Sequence, residues 1–192
     1  MEVFEAIRTK RAVRVFNDKS IEDELIIQIA NAGRRAQSAK NLQPWNFIVV
    51  RSKSTLHELS LLGNWADHLS GASFGIAIIT PHPEERFSIM FDAGQAAAYM
   101  QLAAWDIGVG SCIATIYETE KARELLGFPR DLHARVAISF GYPSDHKSIK
   151  NAPKIGGRRT IEEVIHWEKW QWFYFKILIK PHPRSPYKNF IQ

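Results

Sequence analysis

Apolar residues recur at helical spacing in Val3, Phe4, Ala6 and Ile7, which predicts a short helix over Glu2 to Lys10. It runs directly into the basic stretch Lys10-Arg11-Ala12-Val13-Arg14. A second helix is expected after Ser20, which precedes the acidic run Ile21-Glu22-Asp23-Glu24 as a capping residue would. Leu25, Ile26, Ile29 and Ala30 supply its buried face, and it closes near Gly33. A polar loop from Arg34 to Trp45 follows and ends in Gln43-Pro44-Trp45.

The period then changes. Phe47-Ile48-Val49-Val50 and Gly75-Ile76-Ala77-Ile78-Ile79-Thr80 are short β-prone runs that read as buried strands, the second stopping at Pro81. Between them Ser54 to Leu62 is helical in pattern, with a further turn over Asn64 to Leu69. Ile89 to Ile107 is the longest helical signal, closed by Gly108 and Gly110. Ser111 to Ile116 and Ala134 to Phe140 add two strands, separated by a charged helix over Glu118 to Leu126. Two helices precede the first strand, so the order is not a βαβ alternation, and the pattern predicts an α+β fold rather than a doubly wound parallel sheet.

The long helix makes a prediction of its own. From Ala93 to Ile107 only Gln95, Gln101 and Asp106 are clearly polar, and a helix apolar nearly all round needs cover on every side. A chain of 192 residues with four or five short strands covers one flank of it, so a second subunit is the economical cover and a homodimer is expected.

Composition narrows the class. With 45% hydrophobic residues the chain buries enough apolar surface to fold, and its length favours one main domain, taken as 1–170. Residues 171–192 form an aromatic and Pro-rich tail. Trp167, Trp170, Trp172, Phe173, Tyr174 and Phe175 crowd together ahead of it and into it, and such a run should not be left in water. An arm packed on a partner subunit or on the chain's own body is the favoured reading, with a membrane-surface anchor or a cloning or frameshift artefact as alternatives. The net charge of +5 is scattered among acids apart from Lys10, Arg11, Arg14, Arg34 and Arg35, which argues against nucleic acid and for a mildly basic enzyme surface or a small-phosphate site. Cys112 is the single cysteine, no signal peptide is evident, and no apolar stretch reaches about eighteen residues, so a cytoplasmic protein without a membrane span is expected.

Several chemistries find no motif. The seven histidines never pair at helical ligand spacing, GxSxG is absent, and Gly108-Val109-Gly110 lacks the third glycine and the strand-to-helix context of a dinucleotide fingerprint. It reads instead as a helix cap leading into a buried strand. Phosphate binding has better support, because Arg11 and Arg14 follow a helix end, Lys10 adds a third cation, and arginine forks suit phosphate oxygens.

That signal sharpens when it is combined with Ser38-Ala39-Lys40-Asn41-Leu42-Gln43-Pro44-Trp45 and Gly156-Gly157-Arg158-Arg159-Thr160-Ile161-Glu162-Glu163. The chain resembles the nitroreductase-like FMN-dependent oxidoreductases from about residue 3 to 170. SxxNxQPW before a hydrophobic strand is the strongest element, supported by Asp92 to Ile107 running into Gly108-Val109-Gly110-Ser111 and by Gly141-Tyr142-Pro143. The resemblance implies a mixed, mostly antiparallel sheet flanked by helices, a long buried central helix and FMN at the dimer interface. It implies that Lys10, Arg11, Arg14 and Arg158 hold the FMN phosphate and that Ser38 and Asn41 line the flavin from the other subunit, Gln43 and Trp45 being structural. Two positions depart from the pattern: Ala12 stands where many relatives have Ser, and Gln37 where Pro is usual.

The implied activity is electron transfer from NADH or NADPH to a small organic acceptor, a nitroaromatic, a quinone or a flavin, by a ping-pong mechanism in which FMN carries the chemistry and no side chain need be a nucleophile. The acceptor would be set by the loops Asn64 to Ser73 and Pro81 to Ser88. Reductive dehalogenation or flavin breakdown on the same fold is the alternative, with a non-catalytic FMN-binding protein as the rival from another class.

Overall fold

One of the runs read as a buried strand, Gly75 to Thr80, becomes one of the two central strands of the sheet. In the computed structural model, β2 (Phe74–Pro81) lies between β1 (Asn46–Val50) and β4 (Leu132–Gly141), with β3 (Gly110–Thr115) beyond β4, in the order β1-β2-β4-β3. The three pairings are antiparallel, with Val49 opposite Ile76, Ile76 opposite Ile138, and Ile113 opposite Ile138. A register shift between Ile78 and Ile79 marks a bulge in the β2–β4 pair. The structure describes residues 1–145 and 157–170.

β2 is buried on both faces because helices cover both, and its side chains divide between them with the period of two that a strand imposes. Phe74, Ile76 and Ile78 join Ile26 and Ile29 of α2 (Asp23–Arg34) and Ala96 and Met100 of α4 (Ser88–Asp106) on one side. Ala77 and Ile79 join Leu56 and Leu59 of α3 (Lys53–Ser60) and Ala122 of α5 (Thr119–Leu126) on the other. Phe74 and Phe140 stack across the β2–β4 pair at 4.8 Å. Burying one such side chain contributes roughly 1.5–3 kcal/mol, so truncating Phe74 or Phe140 opens the middle of the core.

The α+β expectation is met, and the ladders are wholly antiparallel. Among the described residues, the sheet is mixed only through an isolated parallel bridge between Ala12 and Ser111. The second helix differs at its start: Glu22, with no side-chain cap, takes the position expected for Ser20. Ile21 is buried, and seating it in the core moves the helix start past the exposed serine.

α4 is covered on one flank. Ala93, Ala96, Ala97, Met100 and Ala104 are buried, whereas Phe91 is 72% exposed and Tyr99 is 42% exposed. Phe87, just before the helix, is 96% exposed. On α1 (Val3–Thr9) the same holds for Phe4 and Ile7. After α4 the chain turns through Gly108, whose φ of 79° is the left-handed conformation that ends a helix.

The chain divides into two units, Met1–Ala152 and Pro153–Gln192. In the second, Thr160 and Glu163 form a capping box on the single turn α6 (Ile161–Val164), and His166 and Trp170 stack at 4.3 Å. Trp167 and Trp170 are exposed. The aromatic tail from 171 onward lies outside the described residues. Among the described residues no helix is long and apolar enough to cross a membrane.

Candidate functional site

The basic loop is positioned by main-chain pairing. Lys10 ends α1, its N–H bonded to the Ala6 carbonyl. Thr9, one residue earlier, accepts a hydrogen bond from Trp105 in the last turn of α4 at 3.0 Å. From there Val13 donates to the Ser111 carbonyl at 3.0 Å, which zips the loop onto the start of β3. The approach is close enough to require glycine: a Cβ on Gly110 would lie 2.7 Å from the Val13 side chain. Beneath the loop, Gln101 donates to the buried Ser111 hydroxyl at 3.2 Å.

This seating brings Lys10, Arg11 and Arg14 into one stretch and gives them unequal roles. Arg11 turns back on its own helix, donating from Nη1 to the carbonyls of Arg8, Thr9 and Lys10 at 3.0–3.1 Å. A cation there offsets the negative end of the helix dipole. Arg14 is exposed. Its charge and that of Lys10 both act on Cys112 of β3, opposing the burial that pushes the thiol upward.

Behind β3, His68 is buried with Nδ1 2.8 Å from the Ser139 hydroxyl, which in turn donates to the Cys112 carbonyl at 3.3 Å. Burial first and Arg14 second hold the imidazole below its ordinary 6.5, so it is neutral near pH 7.

Ser38 and Asn41 sit on a loop of a different kind. Lys40, Asn41 and Gln43 all have positive φ, 53°, 54° and 46°. Left-handed non-glycine residues cost roughly 1–3 kcal/mol each and cluster at functional sites. Main-chain bonds from the Asn41 N–H to the Ser38 carbonyl at 3.0 Å and from the Leu42 N–H to the Ala39 carbonyl at 3.2 Å hold the shape together with side chains. Ser38 Oγ accepts from the Gln43 N–H at 2.9 Å, the Gln43 amide donates to Asn41 Oδ1 at 3.2 Å, and the Ala39 N–H donates to the buried carboxylate of Asp92 at 3.1 Å. Trp45 is buried against Phe47, the structural role expected of it.

The two loops lie at opposite ends of α4. Thr9 is tied to Trp105 in its last turn and Ala39 to Asp92 in its second turn. At 1.5 Å per residue those anchors are about 20 Å apart along the helix. One chain therefore does not bring Lys10 and Arg14 beside Ser38 and Asn41.

Arg158 belongs to the second unit and is exposed. Its neighbour Arg159 is engaged, donating to the Glu163 carbonyl at 2.5 Å.

Sequence reasoning passed over Asp92, Arg86, His68 and Ser139. Asp92 carried a readable signal, an acidic residue on the core side of an Ala-rich helix. The pairing of His68 with Ser139 spans 71 residues and had none.

A family model described as the Nitroreductase family matches residues 7–62 and 60–142. A protein of Archaeoglobus fulgidus named "Putative NADH dehydrogenase/NAD(P)H nitroreductase" is 34% identical over 178 residues, covering 88% of this chain and 99% of its own length. An FMN-dependent nitroreductase from Clostridium difficile R20291 superimposes with a TM-score of 0.77 at 27% identity, over 88% of this chain and all of the other. An iodotyrosine deiodinase of Thermotoga neapolitana is 24% identical over 172 residues, covering 76% of this chain and 90% of its own.

Proposed function

This chain belongs to the nitroreductase family, and from that premise we propose that it is an NAD(P)H-dependent FMN oxidoreductase reducing a small organic acceptor. The observation that carries the reading is the basic loop seated on β3, where Lys10 and Arg14 present cations at one edge of the sheet. That donor set fits a phosphate dianion. Ser38 and Asn41 offer short polar groups on a shaped loop, as a flavin ring with both donors and acceptors requires.

Lys10 and Arg14 would hold the phosphate. Arg11 would contribute through the guanidinium nitrogens other than Nη1, which its helix occupies. FMN, when bound, would supply the electron chemistry between NADH or NADPH and a nitroaromatic, quinone or flavin acceptor, for which ping-pong kinetics are expected. The chain itself binds, orients and excludes water.

The separation of the two loops along α4 supports a site completed by a second copy, in which Ser38 and Asn41 of one subunit meet Lys10 and Arg14 of the other. The exposed stripe of Phe87, Phe91 and Tyr99 supports the same homodimer, since it gives a second copy an apolar face to cover. Light scattering coupled to size exclusion at low micromolar concentration checks this, and a flavin-loaded monomer would overturn it.

The activity is tested by one anaerobic spectrum. The purified, FMN-reconstituted protein should be yellow and should bleach on adding NADH or NADPH. No flavin binding, or binding without bleaching, would sink the proposal. The similarity to an iodotyrosine deiodinase supports a second reading, reductive dehalogenation. Failure to oxidise NAD(P)H combined with turnover of a halogenated phenol under chemical reductant would favour it.

A further inference from the structure

The buried carboxylate of Asp92 has no part in packing the core that an alanine would not play better. It lies on the covered flank of α4 at 2% exposure, among Ile89, Ala93 and Ala96. A carboxylate in such a place persists only when something binds it. Two groups do: the Ala39 N–H at 3.1 Å on Oδ1, and the Arg86 guanidinium at 3.7 Å on Oδ2. Ala39 is the residue between Ser38 and the left-handed pair Lys40 and Asn41. Arg86 closes the segment leading into α4, just after the short turn Pro83–Glu85. One buried charge therefore grips the polar loop from below and is itself steadied from the side.

Resting on the flavin reading above, we propose that Asp92 is a positioning residue: it holds the Ser38–Gln43 loop in its left-handed shape so that Ser38 and Asn41 meet the flavin already ordered. The local bonds of the loop, Ser38 to Gln43 and Gln43 to Asn41, are internal to it and tie it to nothing else. Among the described residues, the Asp92–Ala39 bond is the hydrogen bond that ties the loop to α4, and through α4 to the sheet. Asp92 touches neither flavin nor substrate in this arrangement. Its effect passes through the backbone.

The bond can be broken from either side. Asp92→Ala removes the acceptor, whereas Asp92→Asn keeps an oxygen in its place. Ala39→Pro removes the donor and leaves the carboxylate; Ser38, at φ −146° and ψ 153°, already has the extended conformation a residue before proline takes. Two measurements on the full chain read the outcome: amide hydrogen exchange at residues 40–43 without FMN, and FMN affinity by fluorescence titration. Asp92→Ala and Ala39→Pro should each raise exchange in the loop and weaken FMN by about tenfold, the equivalent of one hydrogen bond to a charged group. Asp92→Asn, which keeps a neutral acceptor for the Ala39 N–H but removes the charge facing Arg86, should lose less than Asp92→Ala. The double variant Asp92→Ala/Ala39→Pro should be no worse than either single, because both remove one interaction.

Wild-type exchange and wild-type affinity in both single variants would overturn the proposal, as would additive losses in the double variant. So would an Asp92→Asn that falls as far as Asp92→Ala. If Asp92→Ala does not fold, Ala39→Pro with the carboxylate intact gives the decision. If the parent binds no FMN, the flavin reading fails, while exchange in the loop still decides whether Asp92 orders it.

Discussion

Two loops carry the residues that matter most here, and they are built on opposite principles. Residues 10–14 are extended and paired to β3 through the main chain, so their geometry depends on the backbone and on one close approach, Val13 over Gly110. Residues 38–43 are left-handed at three non-glycine positions and add to their short main-chain bonds a set of side-chain bonds from Ser38, Gln43 and Asp92. The first loop takes its place from main-chain pairing, so exchange of the exposed Arg14 side chain should leave its shape intact. The second stores strain and collapses if a small number of bonds are lost. On the proposed reading the first loop would supply cations to a phosphate and the second would supply directed contacts to a planar ring, so each loop would have the construction its task calls for.

Removing charge from the first loop should give the largest effect. Lys10→Ala/Arg14→Ala is expected to weaken FMN binding at least about 100-fold, since each charge-assisted contact contributes roughly 1.5–3 kcal/mol, and to leave the unfolding midpoint near that of the parent. Flavin titration and a melt of the flavin-free protein read both halves, and a matching fall in stability would mean that the loop is not seated by its backbone. Next in size is Gly110→Ala, which forces a methyl against Val13 and should cost roughly 1–3 kcal/mol in urea unfolding. An unchanged midpoint would show that the loop lifts off β3 freely.

The third substitution runs the other way. Lys40→Gly relieves a φ of 53° and should stabilise the folded chain by about 0.5–1 kcal/mol after the entropy of glycine is deducted. A loss of stability in urea would deny that this loop is strained.

The smallest effect concerns pH beneath the basic loop. Burial, then Arg14, depresses the folded value of His68 below 6.5, so the unfolded chain binds its proton more tightly. The contribution of this group is fully present above pH 6.5 and is lost as pH falls toward the lowered folded value. His133, depressed by burial and then by His82, acts with the same sign. His68→Asn should therefore flatten, without abolishing, the fall in melting temperature between pH 7.5 and 5.5. An identical slope in the variant would remove His68 from the account.

Much of this was legible in the residues. The run Gly75 to Thr80 announced a doubly covered strand because it lacks the polar alternation of a surface strand, and β2 is buried throughout. Gly108 announced the end of α4 and has the left-handed φ that ending requires. The apolar circumference of α4 announced an uncovered flank, which Phe91 and Tyr99 display. The motif residues were legible as a set, and their distribution was not. Nothing in the string says that Arg11 turns back on its own helix, or that Ala39 reaches across 53 positions to Asp92. Ser20 failed as a cap for a related reason, since the buried Ile21 outweighs a local hydrogen bond.

The strand order also has a consequence for synthesis. β2 pairs on one edge with β1, which precedes it, and on the other with β4, whose Phe140 follows Phe74 by about 66 residues. At roughly 5–20 residues per second, the ribosome leaves that second edge without its partner for about 3–13 s. During this interval a continuous apolar strand, Phe74 to Ile79, has an open row of main-chain donors and acceptors, the arrangement that templates intermolecular pairing. Slowing translation between α4 and β4 should therefore lower soluble yield more than the same delay placed before β1.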